Sequence, residues 1–442
     1  MATATERFQA KWKPVRVEKT HQIKNLEPRF DSIETEKALD APTMVPERAA
    51  IPTSLFNLCF VLFVIQATFF PTAYFAHWWI FDDKGLGIPT DFVNVWSAGR
   101  LVLDGHAAQA YDWNIQKQVQ VAVLGQSYPG NFAWHYPPPF LFVASLLAHF
   151  PYAAAFVGWT AASLVPYLAV MRAIVGRPFG LLLAVAFPVV LTNALVGQNG
   201  FLTAALIGGA LYAMPTRPIL SGICIGLLSY KPQYGLLFPL VLIATAQWRV
   251  FITAAIVAVA MAFASWLAFG TESWQAFFHW IPMFSQAFLI EGRAPWWKLQ
   301  SLFALVRYFG GTEQLAWTFQ WILSASVAMG LAMMWRSRIA YPLKAAALAA
   351  GTLLTTPYLF MYDLMVLAVP VAFLVRMGLA TGFRRYELAA LTCAFALIAS
   401  FTFLGLPVGL GATLIVASLI LRRAGPWWRR GQAPSLMAAA RA

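Results

Sequence analysis

The sequence predicts an all-α polytopic membrane protein, and three observations support that prediction. Of the 442 residues, 60% are hydrophobic and only 11% are charged. The mean hydropathy of +0.64 lies outside the usual range of soluble globular chains. Apolar runs of helical length also recur from residue 55 to residue 421, with short polar turns between them. This pattern is typical of a chain that crosses a bilayer many times.

The net charge of +13 does not indicate a nucleic-acid partner. Residues 1–50 hold nine Lys/Arg against eight Asp/Glu, so the other 22 Lys/Arg and ten Asp/Glu leave +12 on the remainder. That excess lies in short loops between apolar runs, where membrane topology explains it. The three cysteines, Cys59, Cys224 and Cys393, fall inside apolar runs without metal-ligand spacing, which indicates packing and not a disulfide framework.

The composition divides the chain into three parts. Residues 1–50 are polar, mixed in charge and poor in aromatic residues, which predicts a disordered cytoplasmic tail. Residues 51–424 form the predicted membrane domain, with a first outer loop at 82–136 and a second at 271–311. Residues 425–442 are predicted to be a cytoplasmic C-terminal tail.

The apolar run at 137–150 decides the topology. It is shorter than the roughly 20 residues that a helix needs to cross the hydrocarbon core. If it is re-entrant, the inner loops after the tail collect 15 Lys/Arg and the outer loops seven, whereas a full crossing inverts that bias. The positive-inside rule therefore favours about twelve spans with both termini inside. The predicted spans lie at about 55–80, 152–173, 179–196, 200–214, 219–230, 234–247, 250–270, 313–335, 343–356, 364–378, 387–404 and 408–421.

The stretch from Pro89 to Gly105, which contains Asp91, is the most informative part of the sequence. The residues after Asp91 predict a short amphipathic helix over 92–103, with a second over 111–124. The outer loop that carries them holds five of the ten acids beyond residue 50. Asp91 either caps the first helix through backbone N–H groups or belongs to a site at the membrane surface.

Polar motifs between spans gather on the predicted outer side. Lys231 interrupts an apolar stretch and Asp363 precedes a fresh one, so each is either a snorkelling or capping residue or part of a wet site. Together, a carboxylate, cations, amides and tryptophans suit a lipid-phosphate sugar. A cation would neutralise the phosphate, amides would bind hydroxyls, aromatic faces would stack on the sugar, and a base would accept a proton.

An ordered set of short motifs resembles glycosyltransferase family 87. The set runs from Asp91-Phe92 through Ala98-Gly99-Arg100, Leu103-Asp104-Gly105, Tyr111, Tyr136-Pro137-Pro138 and Gly197-Gln198-Asn199 to Gly226-Leu227 and Lys231-Pro232. That family lies in the GT-C superfamily and includes the mycobacterial mannosyltransferases of phosphatidylinositol mannoside synthesis. The resemblance implies a GT-C-type bundle of about twelve helices and an inverting transfer of a hexose or pentose, mannose-like by preference, from a polyprenyl phosphate. It also implies that Asp91 is the catalytic base.

The resemblance covers Lys231, Gln198, Asn199 and the segment that ends at Asp363, and the chemistry of the side chains adds the other candidate residues. Asn199 stands one place earlier than in the family's Gly-Gln-x-Asn pattern, and Asp363 stands where a neutral residue or His is expected, so Asp363 is a substrate-binding acid or alters acceptor recognition. We expect no cofactor and no metal, since no acidic pair or His cluster has ligand spacing. The predicted donor-phosphate-binding residues are Lys231, Arg293 and His135, and the predicted sugar- or acceptor-binding residues are Tyr136, Gln198, Asn199, Trp296, Trp297, Tyr362 and Asp363.

The expected partners are a polyprenyl-phosphate-sugar donor, a lipid or glycan acceptor, and membrane lipids. The expected location is the inner (plasma) membrane, with the site on the periplasmic side. A transporter or flippase of lipid-linked sugars is an alternative, although its binding residues should lie near the bilayer midplane in related halves, and the sequence shows no internal repeat. A non-catalytic membrane scaffold is the other alternative.

Overall fold

The computed structural model describes residues 50–425, and this part of the chain is helical. No β-strand occurs within that range, where extended pairing is limited to three isolated bridges. The predicted all-α class is therefore confirmed. The two predicted tails lie outside the described residues, apart from Ala50 and Gly425.

We number the helices in chain order. The α-helices are α1 (Thr53–Phe75), α2 (Phe92–Leu103), α3 (Trp113–Leu124), α4 (Leu141–Ala148), α5 (Tyr152–Val175), α6 (Phe179–Ala186), α7 (Val189–Val196), α8 (Gly200–Ala213), α9 (Pro218–Leu227), α10 (Leu237–Ala244), α11 (Trp248–Ser285), α12 (Leu302–Tyr308), α13 (Glu313–Arg336), α14 (Tyr341–Leu354), α15 (Ala368–Thr381), α16 (Glu387–Ala399), α17 (Phe401–Leu404) and α18 (Val408–Ala424). Short 3-10 turns and one π-helical turn, Gln286–Ile290, connect several of them.

Five helical segments in the described range are long and apolar enough to cross a membrane. They are Thr53–Phe75, Tyr152–Val175, Trp248–Ile290, Glu313–Arg336 and Met361–Thr381. Helices α6 and α7 make a sixth if they form one span, although they meet at a 63° bend. Every predicted span overlaps a helix, but the others are shorter than a bilayer requires, so the total of about twelve stays a prediction.

One of these segments is central to the bundle. Of the most apolar part of Met361–Thr381, 78% is buried, whereas the corresponding share in the other four segments lies between 11% and 33%. The four peripheral segments present apolar faces outward, as expected for helices in contact with lipid. Met361–Thr381 therefore forms the interior of the bundle, and its first turns support the site described below.

The first part of the second predicted outer loop, 271–311, is helical. Helix α11 continues to Ser285 and is followed by the π-helical turn. The backbone does leave helical geometry at Gly270, where φ is +76° and ψ is 171°. Glycine adopts this φ without steric cost. The predicted end of the span therefore coincides with a sharp break between two helical halves.

The first predicted outer loop contains the two predicted helices. Helix α2 has the predicted bounds, and the second helix begins at Trp113, two residues later than predicted, after a 3-10 turn over Ala107–Tyr111. Eight of the twelve residues of α2 are buried, among them Asn94 and Ser97, so α2 is packed within the protein instead of exposing a polar face. The apolar residues at 137–150 form an 11-residue helical stretch, Pro138–Ala148, about 16 Å long. That length fits a re-entrant segment.

Gly99 lets α2 pack directly on α4. A Cβ atom at Gly99 would lie 1.9 Å from the carbonyl oxygen of Ala144, which is backbone and cannot rotate away. We expect Gly99→Ala to destabilise the fold by about 1–3 kcal/mol through overpacking. Gly158→Ala in α5 is the control, because a Cβ there meets no atom within 4 Å. Thermal unfolding in detergent measures both, and equal melting temperatures would contradict the proposed close packing.

Candidate active site

A cavity of about 710 Å³ lies beside the start of α2, and Asp91 forms part of its wall. We call it the Asp91 cavity. The polar and charged side chains that line it come from five regions far apart in sequence. They are Thr90, Asp91, Asn94, Asn131, His135, Thr192, Gln198, Arg293, Lys298, Tyr358 and Tyr362.

The Asp91 carboxylate does not cap α2. Asp91 stands at the N-cap position, yet its side chain makes no capping hydrogen bond. Asp112, at the same position of α3, shows the ordinary arrangement, because its Oδ1 accepts from the backbone N–H groups of Asn114 at 2.8 Å and Ile115 at 3.1 Å. The capping alternative for Asp91 therefore does not apply, and its carboxylate is available to the cavity.

A short hydrogen-bond chain holds the Asp91 carboxylate. The Gln198 Nε2 amide donates to Asp91 Oδ2 at 3.2 Å. Gln198 Oε1 in turn accepts from the Tyr136 hydroxyl at 3.1 Å and from the backbone N–H of Asn199 at 3.3 Å. Because a backbone N–H can only donate, Oε1 must face it, which orients the amide N–H towards Asp91. Four of the predicted residues, Asp91, Gln198, Tyr136 and Asn199, thus form one connected unit.

Gly197 allows that unit to form. It ends α7 in the left-handed conformation, with φ +65°, a conformation that favours glycine. A Cβ at this position would lie 2.7 Å from the Phe92 Cβ and 2.9 Å from the Phe156 ring. The backbone of the Gly-Gln-Asn segment therefore approaches the start of α2 closely enough for Gln198 to reach Asp91.

The surroundings of Asp91 adjust its acidity. Partial burial raises the pKa of the Asp91 carboxyl to about 6, while the Gln198 hydrogen bond and the positive charge of Lys298 act in the opposite direction. A carboxylate with a pKa near 6 is largely ionised at neutral pH and still basic enough to accept a proton. This is the acidity expected of a general base.

Two cations belong to the Asp91 cavity. Arg293 and Lys298 both line it from the segment that follows the π-helical turn. Arg293 pairs with Glu291, Nε to Oε2 at 2.8 Å, and both side chains are largely exposed. Buried Gln300 positions the segment: its Nε2 donates to the carbonyls of Trp297 and Lys298, and its Oε1 accepts from the Gly409 N–H at 2.7 Å. The sequence prediction included Arg293 but omitted Lys298 and Gln300.

Lys231 lies behind the wall of the cavity. Its Nζ is 2.6 Å from Asp363 Oδ1, and both side chains are 4% exposed. The rings of Tyr136, Tyr234 and Tyr362 surround the ammonium group at 5.6–5.9 Å. Asp363 Oδ2 accepts from the backbone N–H of Phe360 at 3.2 Å. The structure therefore brings Lys231 and Asp363 together as a buried ion pair, and neither lines the cavity.

His135 does line the cavity, and its ring is closely held. It stacks on Tyr136 at 4.4 Å and on Phe284 at 4.5 Å between centroids. Its Nδ1 is 3.2 Å from the carbonyl oxygen of Ala133. Burial lowers the pKa of the imidazole to about 4, and the charge of Lys231 acts in the same direction. The imidazole is therefore neutral at physiological pH.

Of the remaining predicted residues, one lines the cavity, two are buried behind its wall, and the two tryptophans pack against other aromatic rings. Tyr362 lines the cavity, whereas Tyr136 and Asn199 are buried behind it. Trp296 packs on Phe303 in a small separate apolar cluster, and Trp297 packs on Phe401. The sequence prediction omitted Asn94, although its position three residues after Asp91 places both on one helix face.

Aromatic rings form much of the rest of the wall, and a metal site is not evident there. Phe284, Phe288 and Tyr358 contact one another with centroids 4.5–6.0 Å apart. Within residues 50–425, no three His, Cys, Asp or Glu side chains are grouped so that they could hold a metal ion. Metal-independent chemistry stays a prediction.

Comparison with known proteins decides the family. The model of glycosyltransferase family 87 matches residues 134–360, just over half of the 442 residues. The chain belongs to glycosyltransferase family 87. The resemblance recognised in the sequence is thus confirmed, and this family 87 chain is a membrane glycosyltransferase. The matched range includes His135, Gln198, Lys231, Arg293 and Lys298, and it ends before Tyr362 and begins after Asp91. No curated protein and no solved structure matches the chain.

Proposed function

We propose that this protein transfers one sugar, mannose-like by preference, from a polyprenyl-phosphate sugar to a hydroxyl of a lipid or glycan acceptor, with inversion at the anomeric carbon. The observation that carries the proposal is the Asp91 carboxylate, which lines a 710 Å³ cavity, is held by Gln198 instead of capping its helix, and shares the cavity with Arg293 and Lys298. A base and two cations suit a reaction that removes a hydroxyl proton and releases a phosphate.

The reaction would proceed in one displacement. The acceptor oxygen attacks the anomeric carbon while Asp91 takes the hydroxyl proton, and the bond from that carbon to the phosphate oxygen breaks with its electron pair on the phosphate. The transition state has oxocarbenium character, as in glycoside hydrolysis. Arg293 and Lys298 would stabilise the charge that develops on the leaving polyprenyl phosphate. Lys231 is paired with Asp363, so we assign it to the support of the site.

The proposed location is the inner (plasma) membrane, with the Asp91 cavity on the periplasmic side and both termini in the cytoplasm. The support for this orientation is the distribution of Lys and Arg between the predicted loops, 15 against seven. A polyprenyl-phosphate donor fits a site beside membrane-spanning helices, because its lipid part can stay in the bilayer while the sugar enters the cavity.

The proposed function is tested by sugar transfer in proteoliposomes. We would offer the wild-type protein a panel of polyprenyl-phosphate sugars and the matching nucleotide sugars, with a membrane lipid extract as acceptor. The expected result is transfer from one lipid-phosphate donor and none from nucleotide sugars, with the opposite anomeric configuration in the product by NMR. Transfer from nucleotide sugars, or a retained configuration, would contradict the proposal. Net movement of the donor across the bilayer without product would favour the transporter alternative.

The acidity of Asp91 predicts the pH dependence of transfer. The base works only when it is deprotonated, so kcat/KM should fall about tenfold per pH unit below pH 6 and level off above it. Lys298→Met removes a positive charge that lowers the pKa of Asp91, so the acid limb should move to higher pH. Lys84→Met is the control, because Lys84 is exposed and does not line the cavity. An unchanged acid limb in Lys298→Met would contradict the assignment of that limb to Asp91.

A further inference from the structure

His135 has one ring nitrogen whose hydrogen-bonding role is determined by the backbone. The Ala133 carbonyl oxygen can only accept, so Nδ1 at 3.2 Å must carry the hydrogen. The Asn94 Nδ2 amide donates to the same oxygen at 3.4 Å, which connects His135 to the helix that follows Asp91. In the neutral ring, Nε2 is then an acceptor with a free lone pair, and no residue within 50–425 donates a hydrogen bond to it.

Ring stacking also determines the orientation of the imidazole, so the lone pair of Nε2 points in a defined direction. Stacking on Tyr136 and Phe284 holds the two faces of the imidazole, and Tyr358 meets it at 5.9 Å edge to face. Only the ring edge remains available, and His135 lines the same cavity as Asp91. A neutral acceptor held in this way cannot neutralise a phosphate, but it can receive a hydrogen bond from a hydroxyl group.

The neighbouring chain segment indicates which hydroxyl would be bound. The segment from residue 284 to residue 298 includes Phe284, which stacks on His135, and the cations Arg293 and Lys298. All three side chains line the cavity. In the proposed donor the sugar is bonded directly to the phosphate, so a group next to the phosphate-binding segment faces the donor sugar. The acceptor hydroxyl instead has to reach Asp91.

We propose that His135 is a specificity-determining residue whose Nε2 accepts a hydrogen bond from a hydroxyl of the donor sugar. The inference rests on the proposed function, since it takes the Asp91 cavity to hold a polyprenyl-phosphate sugar. It replaces the phosphate-binding role that the sequence predicted for His135. A site built to bind a hydroxyl rejects an analogue without it, because the buried polar atom is then left unpaired.

The test compares His135→Phe with the wild type. Phenylalanine can keep the stack on Tyr136 and Phe284 but has no ring nitrogen. It therefore loses the Nε2 acceptor and also the Nδ1–H that donates to the Ala133 carbonyl, which still accepts from Asn94 Nδ2 at 3.4 Å. We would measure binding of a polyprenyl-phosphate sugar and of polyprenyl phosphate alone, without acceptor. The wild type should bind the sugar-bearing lipid more tightly, and His135→Phe should weaken that binding about tenfold while leaving the affinity for polyprenyl phosphate unchanged.

A series of deoxy donors then identifies the hydroxyl. One deoxy position should weaken wild-type binding about tenfold and have no further effect on His135→Phe, since the two changes remove the same contact. His135→Lys should not restore binding. The inference is overturned if His135→Phe weakens binding of polyprenyl phosphate itself, if the sugar-dependent difference survives in it, or if His135→Lys binds like the wild type. Because binding is measured without transfer, a wild type that binds as expected but forms no product overturns the proposed function alone.

Discussion

Asp91→Asn is expected to reduce kcat for sugar transfer by about 10²–10⁴-fold, the usual contribution of a positioned general base. Asparagine keeps the size of the side chain and an oxygen that can accept from Gln198 Nε2, but it cannot take the hydroxyl proton. Donor binding should therefore change little. Initial rates in proteoliposomes at saturating donor, together with donor titrations, measure the two effects separately.

Asp104→Asn is the matched control for this variant. Asp104 follows the other end of the same helix, α2, where it is exposed and pairs with Arg100 at 2.9 Å. Removing that carboxylate should leave the rate of transfer within about twofold, because exposed ion pairs contribute little. Equal rates for wild type and Asp91→Asn would remove Asp91 from the chemistry. Similar losses in both variants would indicate a general effect on the fold of α2.

Lys231→Met is expected to destabilise the protein by about 3–5 kcal/mol, because it leaves the Asp363 carboxylate buried without its partner. Asp363→Asn should have an effect of similar size, since it leaves an ammonium group buried among three tyrosines. The double variant Lys231→Met/Asp363→Asn should recover most of the loss, because no charge is then buried. Its asparagine can still accept from the Phe360 N–H. Unfolding in mixed detergent micelles measures all three.

The exposed ion pair of Arg100 and Asp104 is the control for the buried ion pair of Lys231 and Asp363. Its side chains are 50% and 43% exposed, against 4% for each member of the buried pair, so Arg100→Met should cost less than about 1 kcal/mol. The double variant also tests the role that the sequence predicted for Lys231. If it folds and binds polyprenyl phosphate like the wild type, Lys231 supports the site. If it folds but no longer binds the lipid phosphate, Lys231 contacts the phosphate directly.

Much of the architecture depends on local patterns, and those could be read from the sequence. Helix α2 begins and ends where its apolar spacing and the following glycine predict. The predicted span at 250–270 stops at the glycine where α11 breaks. Asp112 caps α3. Each of these features depends on residues within a few positions of one another, so periodicity and capping preferences are sufficient to predict them.

The sequence also predicted five of the eleven polar residues named above in the cavity wall, partly through the family resemblance. These five residues are Asp91, His135, Gln198, Arg293 and Tyr362, and all of them line one cavity. The sequence could not distinguish these five residues from Lys231 and Asp363, which carry the same kinds of polar group but are buried behind the cavity wall. The reason is that exposure to a cavity depends on which helices surround it.

Only the tertiary structure decided the pairings. Asp91 and Gln198 form a hydrogen bond although they are 107 positions apart in the sequence. Lys231 and Asp363 form an ion pair although they are 132 positions apart. The neutral state of His135 depends on burial and on the Ala133 carbonyl, and the position of Lys298 depends on Gln300 and the N–H of Gly409. The sequence by itself determined the class of protein, the places of its helices and a short set of candidate side chains. Their partners followed from the packing of distant helices, because a side chain's charge and hydrogen bonds depend on neighbours that local patterns do not specify.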